Sequence, residues 1–447
     1  MNIQTFLRQN VIPVTGCSEP AAIAYATSVA CQALTGSLPP GFDNLDPSPR
    51  PGGIRKITVR TDRNVFKNAF SAVIPGTDGL TGPAAAAAAG IFLNPRDGLD
   101  VFSGMTPDIR AKSRLLALSD KISCSADPFS SGESSPDIVV EVTAAGDTEG
   151  KTAAVRISGR HDGIRTISIN GNEVYSGLPE SSAEHAEEPP STILGMIRIA
   201  EAADRDDTET AYRGVAMNMA LAEHGIHQVY GLGLGRNLHR ILVNQKGLLS
   251  LVDKVRIAAA IADDARMGGA PYPVMSTAGS GNQGITALVP IGVVGRECKF
   301  SREEIGSAAL LSHMVTWQMD RNLGHLSALC GCSVKAGIGA AAGLAFLIGG
   351  DADAITTAIN LMAATVTGTI CDGAKPGCSL KIAMAAGIAT ESAFLAADGM
   401  KIPEGNGIVR HLAADTFAGI GKISQAMDPV DAAIVEILKG SGAGARG

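Results

Sequence analysis

Charge is scarce in this 447-residue chain: Asp, Glu, Lys and Arg make up 18% of it, against roughly a quarter in an ordinary globular domain. Lys and Arg number 37 against 44 Asp and Glu, a formal net charge of −7. With no basic excess to neutralise a phosphate backbone, a dedicated nucleic-acid binder is excluded. Aromatic residues are 4%, too few for base-stacking platforms. The first ten residues, Met1 to Asn10, lack both a basic n-region and an apolar h-region, so no secretory signal is expected. The most apolar later run, Ala336 to Gly349, is shorter than the roughly 20 residues that cross a bilayer. A cytoplasmic protein that stays off the membrane is therefore expected.

What is abundant is apolar surface, at 45%, and glycine, at 53 residues. The first is too high for disorder and supports a large core. The second points to close helix packing or to backbone approaching a ligand. Low charge on so long a chain also suggests buried subunit surface, hence a homodimer.

The pattern along the chain predicts an α+β fold: a mixed α/β domain in the N-terminal half and a large, mostly helical C-terminal domain. Residues 1–35 read as a helical segment, with Pro20 in the first turn of a helix after Gly16-Cys17-Ser18-Glu19. Gly36 to Gly53 is rich in proline and glycine and reads as a loop. Residues 54–178 form the α+β domain: strands near 54–60, 137–142, 153–157 and 164–169, the last entering an Asn170-Gly171 primed turn, and a helix over the alanine run Ala84–Ala89. Ser181–Ser191 is a linker. Residues 192–440 are the helical catalytic domain, with helices expected at 193–204, 207–222, 249–266, 302–318, 334–348, 352–369, 380–397 and 406–421, followed by a frayed tail from Gly440.

Eight cysteines occur, at 17, 31, 124, 298, 330, 332, 371 and 378. In a reducing compartment, clustered cysteines point to metal or catalysis before disulfides. Cys330-Gly331-Cys332 and Cys371 to Cys378 do not match the C-x₂-C pairs of structural zinc. Soft thiolates otherwise select iron–sulfur clusters or copper. Cys17-Ser18, Cys332-Ser333 and Cys378-Ser379 each precede a predicted helix. Serine caps there, and the positive helix end lowers a thiol pKa and attracts anions. Three such ends converging would stabilise a cluster with three protein thiolates and one open iron. Cys330 can replace Cys332 as ligand; Cys31, Cys124 and Cys298 read as buried structural residues. Ser276 to Ile285, with Ser280, Gly281, Asn282 and Gln283 at its centre, reads as a loop of small and amide residues forming a nest for a carboxylate. Neither it nor Gly231-Leu232-Gly233-Leu234-Gly235 has the strand–helix context of a dinucleotide site.

These stretches together resemble the L-cysteine desulfidase family, relatives of the bacterial iron–sulfur L-serine dehydratases. The resemblance runs through Thr15-Gly16-Cys17-Ser18-Glu19-Pro20-Ala21-Ala22-Ile23-Ala24, Gly279-Ser280-Gly281-Asn282-Gln283-Gly284, Leu326 to Cys332, and Ile370-Cys371-Asp372-Gly373-Ala374-Lys375-Pro376-Gly377-Cys378. It spans nearly the whole chain, apart from the long stretch after Gly36. It implies a 4Fe–4S cluster held by Cys332, Cys371 and Cys378. It also implies pyridoxal-phosphate-independent β-elimination from an amino acid, with L-cysteine giving pyruvate, ammonia and sulfide, or with L-serine as substrate instead. In that chemistry Cys17 is the first candidate for the α-proton base, or else a displaceable fourth ligand. Lys375 and His325, inside the cysteine motifs, are further catalytic candidates, Lys375 toward the carboxylate or the cluster. Asp372 is expected to orient a neighbouring N–H. The competing classes are a non-catalytic zinc or redox-sensing cluster protein and a lysine–pyridoxal enzyme.

Overall fold

A computed structural model describes residues 1–35, 53–126, 138–147, 150–177 and 187–440. All but the last residue of the Gly36–Gly53 loop, most of the Ser181–Ser191 linker and the tail after Gly440 lie outside the described residues.

The chain opens with α1 (Ile3–Asn10), β1 (Pro13–Val14) and α2 (Ser18–Thr35). A six-stranded mixed sheet follows, made of β2 (Ile54–Thr61), β3 (Ile122–Ala126), β4 (Val139–Gly146), β5 (Thr152–Ser158), β6 (Ile164–Ile169) and β7 (Asn172–Ser176) in the order β3-β2-β4-β5-β6-β7. Only β2 and β3 run parallel. Between β2 and β3 lie α3 (Arg63–Phe70), α4 (Pro83–Gly90), a 3₁₀ segment (Pro95–Gly104) and α5 (Pro107–Ala117). Strand alternation sets the covered face: Val140, Val142 and Ala144 of β4 and Ala153, Val155 and Ile157 of β5 are buried, and α2 lies across them. Asn170 (φ 52°) and Gly171 (φ 81°) take the two left-handed positions of a primed hairpin turn.

The remainder is helical: α6 (Ile193–Glu201), α7 (Arg205–Gly225), α8 (Leu234–Lys246), α9 (Leu251–Met267), the short β8 (Val274–Met275), α10 (Gly281–Glu297), α11 (Arg302–Leu323), α12 (Lys335–Leu347), α13 (Ala352–Val366), α14 (Cys378–Ala397), α15 (Ala413–Ala426) and α16 (Asp428–Gly440). Capping boxes at Ser250 and Ser301 start α9 and α11. Glycine- and alanine-rich α12 is buried around almost its whole girth, packed by α10, α11, α13 and α14. Helices α8, α10 and α16 were not expected from the pattern, and α10 overturns a loop reading. Gly281 to Gln283 is its first turn, and Ser280 is its N-cap.

The two halves are stitched together by the chain ends. α1 leaves the sheet domain and buries Phe6 edge-on against Trp317 of α11 (ring centroids 6.4 Å apart). β1 pairs antiparallel with β8. α16 returns to pack Val435 on Phe66 and Phe70 of α3, where Lys67 Nζ meets Asp431 Oδ1 at 2.5 Å, both side chains buried. Among the described residues one helix, α14, is long and apolar enough to cross a membrane by length and composition, in place of the 336–349 run; 56% of its most apolar window is buried, as in a core helix.

Candidate active site

A cavity of about 80 Å³ lies between the two halves. Four helix N-termini border it: those of α2 with Cys17, α10 with Ser280, Asn282 and Gln283, α12 after Cys332, and α14 at Cys378. Cys371, His325 and Cys330, also singled out from sequence, line it too. The aligned N–H groups make the cavity favourable for anions. The serine caps expected at α12 and α14 are absent. Val334 and Gly377 are the N-cap residues of α12 and α14, with no side-chain cap. Ser333 Oγ donates instead to Lys381 O (3.5 Å) and Ser379 Oγ to Pro376 O (3.1 Å).

Two expected residues stand apart from the cavity wall. Lys375 turns its Nζ to Asp372 Oδ1 (2.5 Å) and Gly373 O (3.3 Å), so Asp372 neutralises it, although its charge still lowers the Cys378 pKa. Gly281 lies beneath the wall against Arg266, where a Cβ would fall 2.5 Å from Arg266 Nε. Asp372, also paired with Lys381, does line the cavity.

The five thiols on the cavity, Cys17, Cys330, Cys332, Cys371 and Cys378, are soft donors of one kind. No three His, Cys, Asp or Glu among the described residues converge to hold a single metal ion. The thiols do line one cavity, and thiolate sulfur is the donor type that iron–sulfur clusters take. Burial raises the Cys371 pKa, and the charges of Lys67 and Lys381 oppose it without prevailing; Lys381 also acts to lower that of Cys330. A net-negative thiolate-bound group is thus met by fixed cations, and the residues present fit a 4Fe–4S cluster. Cys332 donates to Cys330; this pulls the Cys330 pKa down to about 6 and pushes that of Cys332 up, burial adding to the latter. Burial, then the charge of Asp263, pushes Cys378 up.

Cys17 differs from its reading as a helix-stabilised thiolate. Burial and then the Glu19 carboxylate push its pKa far up, and Arg266 opposes them without prevailing. Desolvation disfavours the thiolate more than the end of α2 favours it. Without a bound group, Cys17 is a thiol.

His325 is held by a buried charge network. Its Nδ1 faces Asp320 Oδ2 at 3.3 Å. Asp320 in turn accepts from Lys335 Nζ at 2.8 Å, and Lys335 also donates to the carbonyls of Gly324 and His325. Burial alone would lower the His325 pKa, but Asp320 overcomes it and raises it. The ring lies against Gly279, where φ is +74° and a Cβ would sit 2.5 Å from His325 Cε1. Only glycine admits both the turn and the imidazole.

Sequence reasoning missed Glu19, Asn68, His161, Arg266, Lys335 and Lys381, all on the cavity wall. Glu19 stands in the Cys17 motif, a signal that could have found it. Asn68, on α3, and His161, in the β5–β6 turn, carry no local signal, since only tertiary packing brings the sheet domain here. Arg266 ends α9 and ties two helix starts together, donating to Gly16 O and to Asn282 Oδ1. Asn282 is therefore held, not free. The Gly231–Gly235 segment also has its explanation. The N–H of Gly235 donates to Asp264 Oδ2 at 2.9 Å, and those of Leu232 and Leu234 also act on this carboxylate; the loop is a nest for an internal anion.

Comparison with known proteins accords with this arrangement. Residues 110–436 match the family model described as serine dehydratase alpha chain. A UPF0597 protein of Desulfatibacillum aliphaticivorans is 34% identical, covering 98% of this chain and 97% of the relative. One of Desulfotalea psychrophila is 31% identical with 98% of each covered, and one of Nitratidesulfovibrio vulgaris is 33% identical over 98% and 99%. The chain belongs to the serine dehydratase alpha chain family.

Proposed function

We propose that this chain is a lyase that eliminates the β-substituent of a small L-amino acid without pyridoxal phosphate. L-Cysteine is the proposed substrate and pyruvate, ammonia and sulfide the products; L-serine is the alternative. The observation that carries the reading is one cavity lined by Cys332, Cys371 and Cys378 together with the N-terminus of α10 and an Asp320-oriented His325. Cys332, Cys371 and Cys378 would hold a 4Fe–4S cluster, which supplies when bound a Lewis-acidic iron for the departing sulfur or oxygen.

The chain's own residues do the rest. The first turn of α10 receives the substrate carboxylate at its N–H groups, with Ser280 and Gln283 beside it and Asn282 held against Arg266. His325 takes the α-proton. With Nδ1 bound to Asp320, the proton arrives at Nε2, and the imidazolium formed is stabilised by the carboxylate behind it. Cys17, kept protonated by burial and by Glu19, is placed to give a proton rather than to accept one. Departure of the β-group leaves aminoacrylate, which hydrolyses to pyruvate and ammonia in water.

The test is anaerobic purification, followed by iron and labile-sulfide analysis and by assay of pyruvate and sulfide from L-cysteine and L-serine. About four irons per chain with pyruvate release supports the reading. A colourless protein containing stoichiometric zinc, or an iron-loaded one inert toward both substrates, overturns it.

A further inference from the structure

The cavity wall carries a buried carboxylate that holds the Cys17 thiol protonated but to which the elimination chemistry assigns no contact with the substrate. Glu19, in the first turn of α2, is 7% exposed. Asn68 Nδ2 donates to its Oε1 at 2.9 Å. His161 Nε2 is 3.8 Å from the same oxygen, too far for a hydrogen bond, and has no other hydrogen-bond partner. Burial keeps that imidazole neutral, with its pKa down to about 4. Among the described residues no lysine or arginine is within ion-pair distance of Glu19.

The cations nearby are committed elsewhere. Lys335 serves Asp320 and two carbonyls. Lys381 serves Asp372 and Ile370 O. Arg266 serves Gly16 O and Asn282. A carboxylate taken out of water without a cation is costly. The end of α2 offsets part of this cost, and a cationic ligand in the cavity would offset more.

We infer that Glu19 pairs with the α-ammonium group of the substrate and is the residue that makes this site select amino acids over otherwise identical acids lacking the amine. The inference rests on the amino-acid lyase reading and deepens it. The zwitterion is divided between two walls: its carboxylate goes to the positive end of α10, its ammonium to Glu19. A thiol acid without the amine satisfies only the first wall and leaves the buried carboxylate unpaired, which is how a polar site rejects an analogue lacking the matching group.

The experiment uses two ligands that cannot react. α-Methyl-L-cysteine has no α-proton to lose; 3-mercapto-2,2-dimethylpropanoate, with a methyl group in place of the amine, has none either. Both are titrated calorimetrically into the anaerobically purified full chain, wild type, Glu19→Gln and Glu19→Asp. Wild type is expected to prefer the amine. Glu19→Gln should weaken α-methyl-L-cysteine about 10- to 100-fold, the range of a hydrogen bond to a charged group, and leave the amine-free acid within about twofold. Glu19→Asp, which keeps the charge one methylene short, should fall between, and it carries the comparison if the glutamine variant does not fold. Equal weakening of both ligands, no weakening of either, or no amine preference in the wild type overturns the assignment. Neither ligand turns over, so the lyase reading fails separately: inert iron-loaded protein with an intact amine preference loses the reaction and keeps Glu19.

Discussion

Replacing Asp320 by Asn removes one charge from the cluster that orients His325 and changes almost nothing in shape. Burial alone would raise the Asp320 carboxyl, yet the charges of Lys335 and His325 hold it down to about 2, from an ordinary value of 3.8. A difference of about two units corresponds to roughly 2–3 kcal/mol of interaction. Lys335 is 1% exposed at its side chain, so the variant also strands a buried ammonium between two carbonyls. A loss of about 2–4 kcal/mol in unfolding free energy is expected at pH 7. The sign follows from linkage. A carboxyl with a depressed pKa stabilises the fold above its unfolded value and loses that contribution as pH falls through its folded value. The carboxyl's share of the gap between wild type and variant should therefore be steady above about pH 5 and close between about pH 4 and pH 2, while the share from the raised His325 pKa is lost as pH rises through the imidazole's titration.

The kinetic consequence is opposite in direction for the imidazole. Asp320 raises the His325 pKa, so Asp320→Asn lowers it. The acid limb of kcat/KM moves to lower pH, while kcat falls by about 10- to 100-fold because the imidazolium formed in the reaction has lost its counter-charge. Urea melts and pH–rate profiles on anaerobic protein test both. An acid limb that stays in place in a variant that is measurably less stable would refute the role given to His325.

Cys371→Ala should abolish the broad visible absorption of anaerobically prepared protein, whereas Cys31→Ala, in the sheet-domain core, should retain it; equal spectra in the two variants would exclude Cys371 as a ligand. Lys67→Met strands Asp431 and should cost about 3–5 kcal/mol; the double variant Lys67→Met with Asp431→Leu should recover most of it in thermal melts, showing that α16 needs a satisfied contact there and not a charge. His313 is buried and neutral, its pKa lowered by burial to about 3. The unfolded chain alone takes up that proton as pH falls below about 6.5, so stability declines from there by up to about 1.4 kcal/mol per pH unit. His313→Gln should make the fall in urea midpoint between pH 7 and pH 5 smaller, and an unchanged slope would contradict the assignment.

Much of the site was legible because thiols and glycines are chemically conspicuous. Cys17, Cys332 and Cys378 stand between glycine and serine in segments that interrupt the helical pattern and begin or precede helices, and Cys371 lies two residues before Gly373. Lys375 misled for the same reason. It lies within a motif, but its long side chain reaches the carboxylate three residues back. The Ser280 segment was read as an open loop because glycine and asparagine are poor helix formers. Its Ser280 cap and the burial of Gly284 against Met275 override that propensity.

By itself the sequence determined the division into a strand-rich half and a helix-rich half, the hairpin at Asn170-Gly171, and the choice of soft sulfur donors, since these depend on periodicity, on backbone freedom at single residues and on side-chain chemistry. Only the tertiary structure decided that α3 and the β5–β6 turn bring Asn68 and His161 to the thiols, that Arg266 joins two helix starts, and that Cys17 keeps its proton. Each of those depends on which groups are removed from water together, and desolvation is a property of the packed whole that no local stretch of residues contains.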